Sequence, residues 1–205
     1  MMALASQSFD EHLGCMTTTV TKLTGKLLIA MPDMSDPRFA KSVIFMCDHS
    51  AEGGMGLVIN RPKQGVSFSA LLEQLEIAQS INAGPFPRLY DGGPVEQQRG
   101  FVLHSSDYRC KDGTLEVDES FRMTATLKVL EDIGRGEGPK TALMTLGYAG
   151  WGPGQLEFEI SRNGWLTCDP NEELVFHTPD DQKWSASLKM MGIDPLLLSA
   201  TAGRA

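Results

Sequence analysis

Val43-Ile44-Phe45-Met46-Cys47-Asp48-His49, Glu52-Gly53-Gly54 and Met55-Gly56-Leu57-Val58-Ile59-Asn60-Arg61-Pro62 together decide the fold. The first run is apolar and β-branched enough for a strand, and Glu52-Gly53-Gly54 supplies hairpin turn chemistry. The second run is another strand, ended at Pro62 because proline cannot donate to a ladder. Two adjacent antiparallel strands follow. Upstream, Leu27-Leu28-Ile29-Ala30 reads as a strand stopped by Met31-Pro32-Asp33 and by the turn residues Ser35-Asp36-Pro37. Downstream, Ser67 caps a short helix with Ala70, Leu71, Leu75 and Ala78 near one face.

Further along, Asp91-Gly92-Gly93-Pro94 forces a turn, Phe101 to His104 is a strand and Thr114 to Val117 a weaker one. Met123 to Ile133 divides between strand and helix. Gly134 to Gly138 is a loop before a buried strand, Ala142 to Leu146. Leu156-Glu157-Phe158-Glu159-Ile160 alternates like a strand, yet Pro153 suits a first helical turn and Leu156 and Ile160 lie four apart. Local pattern leaves both readings open there. Trp165 to Thr167 is a short strand, and Gln182 to Met191 a helix with Trp184, Leu188 and Met191 on one face. Residues 1 to 22 carry no sustained period and read as a mobile extension, so one domain is expected over 23 to 205.

Composition narrows the function classes. With 205 residues, 41% hydrophobic and 21% charged, the chain can build one sizeable core. Eighteen basic against 26 acidic side chains give a formal charge of -8, and no basic stripe or helix-turn-helix signature offsets it, so direct nucleic-acid binding is not expected. Cys15, Cys47, Cys110 and Cys168 lie far apart, as in a reducing cytoplasm rather than a disulfide framework. Met1 to Ala5 is too short an apolar start for export, and Asp10, Glu11 and His12 stand where the apolar region before Leu13-Gly14-Cys15 would have to be. No run is long enough to span a membrane.

The chemistry-bearing candidates each face a plainer alternative. Gly134 to Thr141 resembles a phosphate loop, but Pro139 precedes the lysine and a strand follows, so a connecting loop is preferred. Strand alternation puts Cys47 and His49 on one face, about 7 Å apart, where imidazole could activate the thiol. A packed, inert thiol is the competing reading. No ligand spacing predicts a metal site, and no catalytic triad is assembled. Tyr148 and Trp151, with Trp165 and the glycines from Gly147 to Gly154, either line a pocket or pack tightly.

Several blocks then occur in one order: Leu27 to Pro32, Cys47-Asp48-His49, Gly54 to Pro62, Gly92-Gly93-Pro94, Arg99 to His104, and Gly147 to Trp151 continuing through Gln155-Leu156-Glu157. On these the chain resembles the AlgH/YqgE family of bacterial proteins, a widespread group without an established activity. The resemblance implies a compact α+β domain with a mixed, partly barrel-like sheet flanked by helices, and a helix from Pro153. It also implies a regulatory role in transcription, expected here to be indirect. The resulting expectation is a non-catalytic cytoplasmic regulatory or binding protein, with no cofactor, whose partner is a protein or a small molecule. The alternative is a small-molecule or nucleotide binder, or a thiol enzyme or redox sensor. Its pocket would gather Cys47, His49, Asn60, Gly92, Gly93, Tyr148, Trp151 and Gln155.

Overall fold

The computed structural model describes residues 22 to 195 other than 82, together with Leu198. The expected extension, with His12, Cys15 and Met16, lies outside them apart from Lys22. In chain order the elements are β1 (Leu27–Ala30), β2 (Val43–Ser50), β3 (Gly53–Val58), α1 (Phe68–Gln74), β4 (Arg88–Asp91) and β5 (Val95–Ser105). There follow β6 (Thr114–Glu116), β7 (Phe121–Thr124), α2 (Leu127–Arg135), β8 (Ala142–Trp151), α3 (Gln155–Ser161) and β9 (Trp165–Cys168). A π-helical turn at Glu173–His177 leads into α4 (Asp180–Met190). None of these helices is long and apolar enough to cross a membrane.

Among the described residues nine strands form one sheet in the order β6-β7-β5-β8-β3-β2-β1-β9, with β4 also on β8. All neighbours are antiparallel except β4 and β8, so the sheet is mixed, and it curls into a half-barrel with helices on its faces. The β2–β3 hairpin forms, with Ile44 opposite Val58 and Ser50 opposite Gly53, but its turn is Ala51-Glu52, and Gly53 and Gly54 already belong to the β3 ladder rather than to the turn. β8 runs five residues beyond the expected Leu146 and pairs with β3, β4 and β5. It can do so because Gly147 takes a φ of +76°, open to glycine, where the strand passes from one half of the sheet to the other.

The central strands bury both faces, which is why their apolar runs are continuous. Leu27, Phe45, Cys47, Leu57, Leu103 and Phe121 fill the inside of the curl, closed by Leu174 and Val175 of the π-helical turn and Leu188 of α4. On the opposite side Leu28, Ile44, Met46 and Val58 pack with Trp151, Trp165 and Leu156 of α3. A third cluster joins α1 to α2 through Phe68, Leu72, Val129 and Ile133.

One expected helix face needs correction, and a second is wider than expected. In α1 the Ser67 hydroxyl does accept from the Ala70 N–H, but the buried residues are Phe68 and Leu72. They are the i, i+4 pair that meets α2, whereas Ala70, Leu75 and Ala78 are exposed. In α4, Leu188 and the partly buried Trp184 pack on the inner core as expected, and the buried Lys183 and Ser187 widen that face. From Pro153 the helical reading holds: α3 begins after Pro153-Gly154 and ends at Ser161, and two residues on Asn163 takes the left-handed φ of 56°.

Candidate functional site

The geometric premise of a Cys47–His49 pair does not survive. A β-bulge lies between Met46 and Asp48, so alternation fails by one residue just where it was used. Cys47 points into the curl with Phe45 and Leu57, while His49 turns to the Met46 side, where both face Gly54. The Cys47 side chain is sealed, its Sγ lies 3.9 Å from the Phe45 carbonyl, and burial, helped by the Asp48 charge, pushes the thiol pKa up. His49 Nδ1 accepts from the Leu23 N–H at 3.3 Å, which leaves the neutral ring's proton on Nε2. That nitrogen is 3.0 Å from Glu157 Oε1 without hydrogen-bond alignment, a contact that becomes an ion pair when the ring is protonated.

Asn60, Gly92 and Gly93 are occupied with architecture. Asn60 Oδ1 accepts from the Val43 N–H at 2.9 Å and Nδ2 donates to the Lys41 carbonyl at 2.8 Å, tying the end of the hairpin to its start. Gly92 lies so close to β8 that an added Cβ would sit 2.2 Å from the Gly147 carbonyl oxygen, and one on Gly93 would sit 2.2 Å from the Tyr148 backbone. Of the eight candidates, only Tyr148, Trp151 and Gln155 reach the two clefts that flank the end of β8.

The cleft on the inner side, about 540 Å³, holds Tyr148, Arg99 and the side chains of Met55 and Met123. Arg99 there pairs with Glu96 at 3.1 Å and lies 5.1 Å from the Phe101 ring centroid, while the lining carboxylates Asp48 and Glu52 have no ion pair among the described residues. The outer cleft, about 520 Å³, is more elaborate and lies between α3 and the loop around Asp33 to Phe39. Trp165 stands edge-to-face with both Phe39 (5.8 Å, 69°) and Trp151 (6.1 Å, 81°), so three rings form walls at steep angles to one another.

One carboxylate organises this cleft. Glu159 Oε2 accepts from the Trp151 indole N–H at 3.0 Å and the Trp165 indole N–H at 2.8 Å, and Oε1 accepts from Gln155 Nε2 at 2.8 Å. Gln155 is fixed in turn by the Gly152 N–H. Among the described residues Glu159 has no cationic group within the 4.0 Å of an ion pair. Arg38 at the rim is bound to Asp36, at 2.7 Å, and Arg162 stacks on the exposed Phe158 ring, 5.5 Å from its centroid. Trp151, Trp165 and Gln155 stood out in the sequence, but Glu159 did not. The signal was the four-residue spacing of Gln155 and Glu159, which shares a face only once the segment is helical.

A second carboxylate cluster had no sequence signal beyond a lysine among the buried positions of α4. Asp180 accepts from Tyr90 Oη at 2.9 Å and from Arg88 at 3.2 Å, and Lys183 Nζ lies 3.1 Å away. Lys183 is 1% exposed, donates to the Ile59 carbonyl at 2.8 Å and sits 5.0 Å from the Tyr90 ring centroid. Burial pushes the Lys183 ammonium pKa down, against the pull of Asp180, and raises that of the Tyr90 hydroxyl, with Asp180 adding to the rise. No group of three His, Cys, Asp or Glu among the described residues is arranged to hold a metal.

Comparison with known proteins agrees with this architecture. A UPF0301 protein of Ruegeria pomeroyi is 58% identical over 183 residues, covering 89% of this chain and 99% of that protein. One from Cereibacter sphaeroides is 55% identical over the same coverage. The solution structure of the AlgH protein from Pseudomonas aeruginosa superposes with a TM-score of 0.72 at 43% identity, covering 92% of this chain and 98% of that one. A crystal structure of a Corynebacterium diphtheriae protein, 22% identical with a TM-score of 0.67 over 86% of this chain and 91% of that one, shares the fold. The AlgH-like family model matches residues 27–196, from the first strand to beyond α4, and the chain belongs to the AlgH-like family.

Proposed function

We propose that this chain is a cytoplasmic, non-catalytic binding protein whose ligand enters the cleft between α3 and the loop around Asp33 to Phe39, any effect on transcription being indirect. The observation that carries the reading is Glu159, a carboxylate held open toward a cleft by three neutral donors that also fix its aromatic walls. Such a cleft, about 520 Å³ with convergent polar groups, has the size of ligand sites. The polar groups there orient one another and include no paired nucleophile and base, which supports binding over turnover. The free state of Cys47, Cys110 and Cys168 supports a reducing compartment.

The test is a thermal-shift screen of small metabolites, with each hit mapped by the indole N–H resonances of Trp151, Trp165 and Trp184. Hits that move the first two and leave Trp184 in place support the reading. Hits that map instead to Tyr148 or Cys47, or turnover of a hit, overturn it. The thiol alternative is tested beside it: alkylation of Cys47 only after unfolding is expected from its burial, and rapid labelling of the native protein would revive that alternative.

A further inference from the structure

The geometry points to a proton-operated latch at the end of β2: on protonation His49 lets go of Leu23, and with it the chain that precedes β1, and closes an ion pair with Glu157 on α3. In the neutral ring Nδ1 carries the lone pair that accepts from the Leu23 N–H at 3.3 Å, and the proton sits on Nε2, 3.0 Å from Glu157 Oε1. A proton from solvent can be added only at Nδ1. That nitrogen then becomes a donor facing a donor, and the Leu23 N–H loses its one acceptor among the described residues. The same step gives the ring a positive charge beside the Glu157 carboxylate. One proton breaks a bond on one side of the imidazole and strengthens a contact on the other.

Burial makes the exchange felt. The His49 side chain is 1% exposed and Leu23 is 7% exposed, so an orphaned N–H has no water in place to replace the imidazole. Glu157 is the one carboxylate within the 4.0 Å of an ion pair with the ring among the described residues. β3 presents Gly54 to it, and the segment before β1 presents Leu23 and Thr24, none of them titratable. Asp48 on the same strand and Glu52 in the turn line the inner cleft, and Lys26 pairs with Asp169. The movement also has a place to stop. The Gly25 N–H donates to the Met46 carbonyl at 2.8 Å and the Lys26 carbonyl accepts from the Met46 N–H at 2.9 Å, both independent of the ring. Leu23 therefore loosens about Thr24, its backbone held only by the Lys26 N–H on its carbonyl at 3.0 Å, and leaves the outer cluster that contains Trp151, Leu156 and Trp165. Histidine changes charge between about pH 5 and 8, which sets the range in which such a latch works.

The experiment follows the full, isotopically labelled chain by NMR from about pH 8 to about pH 5, reading the His49 ring nitrogens and the hydrogen exchange of the Leu23 and Gly25 amides, each rate divided by its intrinsic rate at the same pH. At the upper end the ring should be in its Nε2–H form. As it titrates, protection of the Leu23 amide should fall about tenfold with the same midpoint, while Gly25, bonded to Met46, keeps its own within about twofold. Glu157→Gln removes the counter-charge at a side chain that is 41% exposed and should lower the proton affinity of the ring about threefold, moving both midpoints together to lower pH. His49→Asn places a carbonyl oxygen near the Nδ1 position, an acceptor at every pH, and should leave Leu23 protection level across the range. A ring that titrates while Leu23 stays protected, an Nδ1–H form at about pH 8, or a ring still neutral at about pH 5 would each overturn the latch. So would equal loss at Leu23 and Gly25, which marks general acid unfolding, or a Leu23 transition that persists in His49→Asn.

Discussion

Asp180 and Glu159 are both carboxylates on helices that pack against the same sheet, yet their surroundings are opposite. Asp180 draws a phenol, a guanidinium and a buried ammonium, and the ammonium is further tied to the Ile59 carbonyl. Its charges are balanced within the protein, so the cluster fastens α4 across the strands. Glu159 draws two indoles and an amide, all neutral, beside a cleft of about 520 Å³. Charge closure marks the first as architecture, and the lack of it at the second is the observation on which the proposed binding reading rests.

That contrast can be broken at its strongest point. Lys183→Ala leaves Asp180 with only Tyr90 and the exposed Arg88, orphans the Ile59 carbonyl, and should cost about 3 kcal/mol in urea unfolding; a loss below about 1 kcal/mol would remove the structural reading of the cluster. Glu159→Gln should cost less, about 1 to 2 kcal/mol, because one oxygen still accepts and the site is partly solvated. If the two variants were equally destabilising, the Glu159 cleft would be as structural as the Asp180 cluster.

His104 sharpens the comparison from a third side. It is fully buried, with Nδ1–H donating to the Ser105 carbonyl and Nε2 accepting from the Thr124 hydroxyl, both at 2.9 Å. Burial holds its pKa below 6.5, so the unfolded ring takes up a proton at a pH where the folded ring does not. The unfolded state then binds more protons, and stability should fall as pH drops below about 6.5, by up to about 1.4 kcal/mol per pH unit. His104→Gln should flatten that slope, and an unchanged slope would locate the acid sensitivity elsewhere. The smallest effect is expected from Arg88→Ala: its side chain is 72% exposed, so its bond to Asp180 is worth about 0.5 kcal/mol or less by unfolding. A large loss there would mean that the exposed cation, not Lys183, balances Asp180.

Much of the fold was legible because turn chemistry is local. The β2–β3 hairpin, with its turn one or two residues before the expected glycines, and the Ser67 cap of α1 occur in the structure as in the sequence. What was not legible depended on partners far along the chain or on single-residue irregularities. The bulge beside Cys47 has no compositional mark, so period-two counting put Cys47 and His49 on one face. Lys183 finds its carbonyl 124 positions away, and no helical pattern announces that. The aromatic part of the cleft was visible in Trp151 and Trp165, while its organising carboxylate emerged only once the alternating segment proved to be α3.

β8 has a consequence for synthesis. It pairs with β3, β4 and β5, all of which leave the ribosome before it, so their bonding edges wait until about residue 151 has been made. Until then the nascent chain holds the hairpin and the apolar strands of the inner core without the strand that joins the two halves of the sheet. Such long-range closure slows folding and leaves unpaired edges exposed to other nascent chains. Chains stalled before β8 is complete should therefore be the form that chaperones retain and proteases clear.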